Sequence, residues 1–144
     1  MVNSLLNSIT RQLGTKFGTD YHYYVESVRQ GLQKPCFTVI TLEPYQRSRS
    51  PVLYDRTIPV VIHYFTDQAQ DNVIKDCYAV AEQVVECLEY LPFKNTTLRG
   101  EDVSWQITDD VLQVFITYRF TTTSKVGEET YMEDSIETLV SNKQ

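Results

Sequence analysis

The spacing of apolar residues changes period three times along the chain, and this order restricts the fold more than any other feature of the sequence. A stripe with helical spacing comes first, formed by Leu5, Leu6, Ile9, Leu13 and Phe17. Segments with a period of two residues follow over 21–65, a second helical stripe covers about 67–91, and the period of two returns over 103–120. These periods are typical of amphipathic helices and of strands with one buried face. The order of helix, strands, helix and strands predicts an α+β fold.

Two long hairpins are predicted in the regions of period two. Strands at 36–42 and 57–65 flank a segment that contains serine, proline and arginine, which predicts a long hairpin around residues 36–65. Pro59 has no N–H group for a strand ladder, so we expect it at the start or on an edge of its strand. A second hairpin is predicted from the runs 103–107 and 112–120, with Asp109-Asp110 as its two-residue turn.

The second helical stripe is the clearest helix signal. It consists of Val73, Cys77, Val80, Val84, Leu88 and Leu91, and the opposite side carries Lys75, Glu82, Glu86 and Glu89. Asp67 is a candidate N-cap, and Pro92 marks the end. This pattern predicts a helix that packs one side on a sheet and presents the other to water or to a partner.

Together these elements predict an antiparallel or mixed sheet of four to six strands, with the two main helices packed on one face. Residues 1–124 are expected to form a single domain. The acidic residues 125–144 are expected to form an arm or a short docked helix.

Charge and cysteine content exclude several classes of protein. The formal net charge is −6, with +3 in residues 1–60 and −9 in residues 61–144. An acidic total argues against nucleic-acid binding as the main activity, and the uneven distribution suits head-to-tail association of identical subunits. No apolar run is long enough to cross a membrane, and the start does not resemble a signal peptide. Three cysteines, Cys36, Cys77 and Cys87, cannot all pair within one chain and are expected to be buried thiols.

No motif for catalysis, metal binding or cofactor binding is present in the sequence. His22 and His63 lie in predicted strands, where a structural role is the simpler interpretation. The histidine and cysteine spacings of metal sites and the glycine-rich phosphate motifs are absent. Asp109-Asp110 is better explained as a turn than as an acid–base pair. We therefore expect neither a catalytic site nor a metal or cofactor.

The segment between the strands of the first hairpin is the best candidate for a contact surface. It combines Tyr45, Arg47, Arg49, Tyr54 and Arg56 in a chain that is acidic overall. Tyrosine and arginine are the residues that most often contribute strongly to protein interfaces. Candidate acidic faces for these arginines are Glu82, Glu86 and Glu89, or Glu101 and Asp102.

Three stretches, taken in order, resemble the tail terminator family of long-tailed bacteriophages and of phage-tail-like particles. They are PCFTVITLEP, YDRTIPVVIHYF and LRGEDVSWQITDDVLQVFITYRF, and the resemblance covers about residues 3–122. The matching positions are Pro35, Phe37, Glu43, Arg56, Pro59, Val60, Leu98, Arg99, Asp110, Val111, Leu112, Tyr118 and Phe120. The stretch Asp109-Asp110-Val111 departs from the family, in which the middle residue is often glycine.

The resemblance implies a structural protein without enzymatic activity. Such a subunit forms a hexameric ring on the head-proximal end of the tail tube, stops tube polymerisation, and joins the head connector or, in a contractile tail, caps the sheath. It is assembled in the cytoplasm of the bacterial host and becomes part of the virion or tail-like particle. The arginine segment is then expected to contact a neighbouring subunit or the tube; transient contact with DNA in the lumen is the alternative.

Two other functions are compatible with the sequence. The chain is alternatively a different ring protein of the head–tail neck, or a cytoplasmic ligand-binding α+β domain. A ring in solution or on a tube separates the first two functions from the third, and binding to tube ends separates the terminator from other neck proteins.

Overall fold

A computed structural model describes residues 1–25, 31–125 and 128–131 of the chain. Helix α1 spans Val2–Phe17 and helix α2 spans Val73–Leu88, with a 3₁₀ turn at Gln70–Asn72 before it. The strands are β1 His22–Val25, β2 Cys36–Thr41, β3 Tyr45–Ser48, β4 Leu53–Phe65, β5 Tyr90–Phe93, β6 Thr96–Thr108, β7 Val111–Lys125 and β8 Glu128–Tyr131.

All eight strands of the described residues join in one mixed sheet. Six of them follow the order β1-β2-β4-β7-β6-β5, while β3 adds to β4 and β8 adds to β7. Only β1 and β2 are parallel; the other described pairs are antiparallel. The predicted α+β class and mixed sheet are confirmed, and the two short added strands extend the sheet beyond the predicted number.

Both helices pack on one face of the sheet, as predicted. Side chains of α1 and α2 form one apolar core with the inward side chains of β2, β4, β5 and β7. The core includes Leu5, Leu6, Ile9, Leu13, Phe37, Val60, Ile62, Cys77, Val84, Leu88, Leu112, Val114 and Tyr118. The opposite face of the sheet, which we call the outer face, has no helix on it in the described part of the chain.

The first predicted hairpin is confirmed, with one irregularity in the middle. Cys36 pairs with Phe65 and Thr41 with Val60, but the register shifts by one residue before Tyr45 pairs with Thr57. Pro59 therefore lies in the middle of β4, and its predicted place at a strand start or edge is wrong. The carbonyl of Pro59 accepts a hydrogen bond from the N–H of Leu42 at 2.9 Å, so its nitrogen faces the same side. That side is where pairing changes from β2 to β3, so the missing N–H interrupts no regular ladder.

The second hairpin is confirmed with its turn. Thr108 pairs with Val111 across Asp109-Asp110, and both turn residues have positive φ angles, 52° and 64°. Further along, a bulge interrupts the pairing of β6 with β7 between Glu101 and Ser104. Asp102 adopts a φ of 54° within this bulge, which turns its carboxylate toward β7.

The boundaries of α2 differ from the prediction at both ends. The helix begins at Val73, so Asp67 is not its N-cap, and no side chain caps it. The first turn of the helix makes a different polar contact: Asp76 Oδ2 accepts hydrogen bonds from Tyr64 Oη at 2.7 Å and Thr66 Oγ1 at 2.6 Å. This contact fixes the first turn of α2 on β4.

The predicted end of α2 is wrong because the chain forms a strand there. The helix ends at Leu88, and Tyr90–Phe93 pairs with β6 as β5, with Pro92 opposite Thr97. The hydroxyl of Tyr118 donates to the carbonyl of Leu88 at 2.7 Å, which satisfies one of the last free carbonyls of the helix.

Strand β8 lies in the segment that was predicted to be an arm, and it pairs with β7 from Thr122 to Lys125. The expectation for residues 132–144 lies outside the described residues. In the part of the chain described above, no helix is long and apolar enough to span a membrane.

Candidate functional site

The arginine-rich segment forms the outer part of a β-hairpin instead of an irregular loop. Strand β3 pairs with residues 54–57 of β4, and the hairpin reverses at residues 49–53. On the other side, the same part of β4 pairs with residues 119–123 of β7, and β7 pairs with β8. The strands β3, β4, β7 and β8 therefore continue the sheet past the last core positions, Ile58 and Tyr118. We call this part the extension.

The predicted contact residues are divided between the two faces of the extension. Successive side chains of a strand point to opposite faces, and residues paired across strands share a face. By this register Tyr45, Arg47 and Arg49 lie on the outer face, whereas Tyr54 and Arg56 lie on the helix face. The five residues consequently form two surfaces, and a single flat partner on one face of the extension meets only two or three of them.

Arg49 is held within the chain. Its guanidinium forms a double contact with the Asp55 carboxylate, at 3.2 Å from Nε and 2.8 Å from Nη2. Thr121 Oγ1 also donates to Asp55 Oδ1 at 2.8 Å. The Thr121 hydrogen bond and the charge of Arg49 hold the pKa of Asp55 below its ordinary value. This contact joins β7, β4 and the hairpin turn, so it orders the tip of the extension.

Arg56 is also engaged within the chain. Its Nε donates to Thr122 Oγ1 at 3.3 Å, and Thr122 itself is 1% exposed. A shallow groove of about 240 Å³ lies beside it, between the start of α1 and the hairpin, lined by Val2, Pro44, Tyr45, Gln46, Arg56 and Ile58. Arg56 therefore supports the inner surface of the extension, and only part of its side chain reaches solvent.

Arg47 differs from the other two arginines. Its side chain is exposed on the outer face, and it forms no ion pair with any residue in the described ranges. It lies close enough to Asp55 to contribute to the lowered pKa of that carboxyl. Among the three predicted arginines, Arg47 has the charge that is most available to a second molecule.

The acidic side of α2 is likewise mostly paired within the chain. Glu86 lies 3.8 Å from Nζ of Lys16, and Glu89 lies 3.6 Å from Nη2 of Arg99. Glu82 is exposed and has no ion pair among the residues that the structure describes. Of the three predicted glutamates, Glu82 is the one left for an external partner.

The second predicted acidic pair, Glu101 and Asp102, binds Arg119 of the neighbouring strand. The two guanidinium nitrogens of Arg119 lie 2.6 Å from Glu101 Oε1 and 2.8 Å from Asp102 Oδ2. These contacts with Asp102 and Glu101 raise the pKa of Arg119. The pair therefore stabilises the bulge of β6, and Arg119 balances one of its two negative charges within the subunit.

Sequence analysis missed an exposed apolar surface on α2. Ile74 is 48% exposed and Tyr78 is 52% exposed, and Trp105 of β6 is 42% exposed. Asp76 contacts β4, so the opposite flank of the helix, which carries Ile74 and Tyr78, faces the β6 side. The separation of four residues between Ile74 and Tyr78, off the buried stripe, is the sequence signal that marks them.

Within one subunit the basic hairpin and the acidic helix do not meet. Strand β3 is added on the β2 side of β4, whereas α2 packs over β6 and β7 on the opposite face from Arg47. Any contact between Arg47 and Glu82 therefore requires two copies of the chain.

Comparison with known proteins supports the resemblance seen in the sequence. A family model described as phage tail terminator protein matches residues 4–130. No curated protein shows significant similarity to the chain.

Proposed function

The chain belongs to the phage tail terminator family, and we propose that it forms a hexameric ring on the head-proximal end of the tail tube and stops tube growth there. The family match gives the chain a structural role in a phage tail and an association with other tail components. The ring, its position and its effect on polymerisation are the proposal.

The observation that carries the proposal is the two-sided extension of the sheet. Tyr45 is 59% exposed, Val52 at the hairpin turn is 51% exposed, and Arg47 projects between them on an ordered pair of strands. A rigid strand hairpin with exposed aromatic and basic side chains supports binding to a protein surface at little entropic cost.

In this proposal each subunit has three kinds of contact: with its neighbours in the ring, with the tube end, and with the head connector or sheath. The outer face of the hairpin binds the neighbouring subunit, and the remaining exposed surfaces bind the tube end on one side and the head connector or sheath on the other. Arg47 and Glu82 contribute mainly to register and specificity, because exposed ion pairs contribute only about 0–1 kcal/mol each. Exposed apolar side chains supply most of the affinity.

A tube polymerisation assay tests the proposal. The tail-tube protein of the same phage is polymerised with increasing amounts of this chain, and tube lengths are measured by electron microscopy. Capping predicts shorter tubes that carry a ring-shaped density at one end. Tube lengths that do not change at a molar excess of the chain over tube ends would contradict it.

A further inference from the structure

The exposed side chains of the hairpin and of α2 form two matching lines on opposite sides of the molecule. Leu42 lies opposite Pro59, Tyr45 opposite Thr57, and Arg47 opposite Asp55. Residues 55, 57 and 59 are every second residue of β4 and therefore lie on one face. Their partners Leu42, Tyr45 and Arg47 share that face and form one line on the outer face. We call it the strand line. Its order is aliphatic, aromatic and basic.

The line on α2 has the same order of side chains with the opposite charge. Ile74, Tyr78 and Glu82 follow one another at intervals of four residues, which places them on one ridge of the helix. We call it the helix line. Its order is aliphatic, aromatic and acidic.

The spacings of the two lines agree. Alternate residues of a strand are about 6.6 to 6.8 Å apart. Leu42 and Tyr45 are three residues apart in sequence, but the bulge between them places them opposite residues 59 and 57 of β4, which are two apart, so the same interval applies. Residues four apart on a helix lie about 6 Å apart. Each line therefore spans about 12 to 14 Å, so the three side chains of one line can align with the three of the other.

Both lines are exposed, and neither has its charge paired within the described residues. Leu42 is 44% exposed, which is close to the exposure of Ile74 at 48%. Neither Arg47 nor Glu82 has an ion pair with a residue in the described ranges. The lines lie on opposite faces of the sheet, so they cannot meet within one subunit.

We propose that the strand line of one subunit packs along the helix line of the next, with Trp105 of β6 beside it, and that this contact closes the ring. The inference rests on the proposed function, since it names the surfaces that a ring of this chain uses. Two different surfaces on opposite sides of one subunit produce a head-to-tail contact, which closes into a ring when the rotation permits. Arg47 then faces Glu82, and Tyr45 faces Tyr78.

Cysteine cross-linking tests this contact directly. Tyr45→Cys and Tyr78→Cys are combined in one chain, and the assembled protein is treated with a short bismaleimide. The substituted side chains are more than half exposed, so the core is unchanged. Cys36 and Cys77 are buried, and burial raises the pKa of Cys87 to about 11, so the native thiols react slowly.

The proposal predicts a ladder of covalent multimers that extends beyond the dimer. A mixture of the two single variants stops at the dimer, because each chain then carries one half of the contact. The control pair is Tyr45→Cys with Gln83→Cys, since Gln83 is exposed on the other flank of α2 and is expected to give no ladder.

Three results would overturn the proposed contact. Two of them leave the proposed function standing, and the third overturns both. A ring seen by native mass spectrometry without a Tyr45–Tyr78 ladder overturns this contact alone, as does a ladder from the control pair only. Absence of any ring, alone or with tail tubes, overturns the contact and the proposed function together.

Discussion

Gly100 shows how closely the end of α2 is joined to the sheet. Its N–H donates to the carbonyl of Glu89 at 2.8 Å. A Cβ atom at this position would lie 2.8 Å from Cγ2 of Ile116 and 3.2 Å from the carbonyl oxygen of Leu88. Both neighbours belong to the packed core, so neither has room to move away.

We predict that Gly100→Ala lowers the free energy of unfolding by about 1–3 kcal/mol, as overpacked core substitutions do. Urea unfolding followed by circular dichroism measures the change. Ser104→Ala is the matched control, because Ser104 is exposed on the same strand and its change is expected within about 0.5 kcal/mol. Equal stability of the parent and Gly100→Ala would show that the helix end is loosely packed.

His63 gives the subunit a pH dependence in the mildly acidic range. It lies on the outer face of β4 between Thr38 and Gln113, neither of which carries a charge. Burial lowers the pKa of His63 below its ordinary value, so the folded protein takes up this proton at a lower pH than the unfolded chain does. The unfolded chain takes up this proton at about pH 6.5. The contribution of His63 to the free energy of unfolding is therefore fully present above that pH and is lost as the pH falls toward the pKa of the folded state.

We therefore predict that His63→Gln makes the loss of stability between pH 7 and pH 5.5 shallower than in the parent. Thermal melts at closely spaced pH values within this range give the slope. Identical slopes for the two proteins would assign the pH dependence to other groups.

At the scale of elements, the residue at the second position of the turn between β6 and β7 is not the one that best fits the backbone conformation there. A two-residue turn with positive φ at both positions favours glycine at the second, and Asp110 has a φ of 64°. The hydrogen bond from Gln70 Nε2 to Asp110 Oδ2 at 3.2 Å is exposed, so it offsets little of the strain that the positive φ imposes on Asp110.

Asp110→Gly is expected to raise the free energy of unfolding by about 0.5–1 kcal/mol, because glycine adopts this conformation without strain. Asp110→Ala is the control and is expected to destabilise, since it keeps the Cβ atom and loses the carboxylate. Unfolding midpoints in urea compare the three proteins. A destabilised Asp110→Gly would mean that the contact with Gln70 outweighs the strain of the turn.

The elements that the sequence predicted correctly are those in which the apolar residues of the buried face recur with a clear period. Both helices and the hairpins around 36–65 and 103–120 have such faces. Strand β3 has four exposed residues and no apolar alternation, so its pairing with β4 is not visible in the sequence. Strand β5 follows α2 at once, and only its pairing with β6 distinguishes it from a last helical turn.

The candidate site was predicted in kind but not in detail. Tyrosine and arginine content indicated the hairpin, and charge indicated the side of α2. Which charges are already paired depends on strand register, as the contacts of Arg49 with Asp55 and of Arg119 with Glu101 show. The sequence alone does not give the strand register. Only the structure therefore shows that Arg47 and Glu82 have no ion pair among the described residues.

At the scale of the whole molecule, the proposed contact between subunits predicts a charge reversal that restores assembly. Arg47→Glu and Glu82→Arg each place like charges together and are expected to raise the concentration for half-assembly about fivefold, equal to ~1 kcal/mol per contact. The double variant restores the opposite charges and should recover most of the loss. Sedimentation velocity over a concentration series measures the midpoint.

The control for the charge reversal combines Arg47→Glu with Glu86→Arg. Glu86 already pairs with Lys16 and lies off the helix line, so this combination should not recover assembly. Recovery by the control, or none by Arg47→Glu with Glu82→Arg, would place the neighbouring subunit elsewhere.

Native mass spectrometry is the most direct test of the proposed ring. The protein is measured alone and with the tail-tube protein of the same phage, at low and at moderate salt. We expect a species of six chains, either for the protein alone or once tube ends are present. A monomer under all of these conditions would contradict the claim that this tail terminator works as a ring.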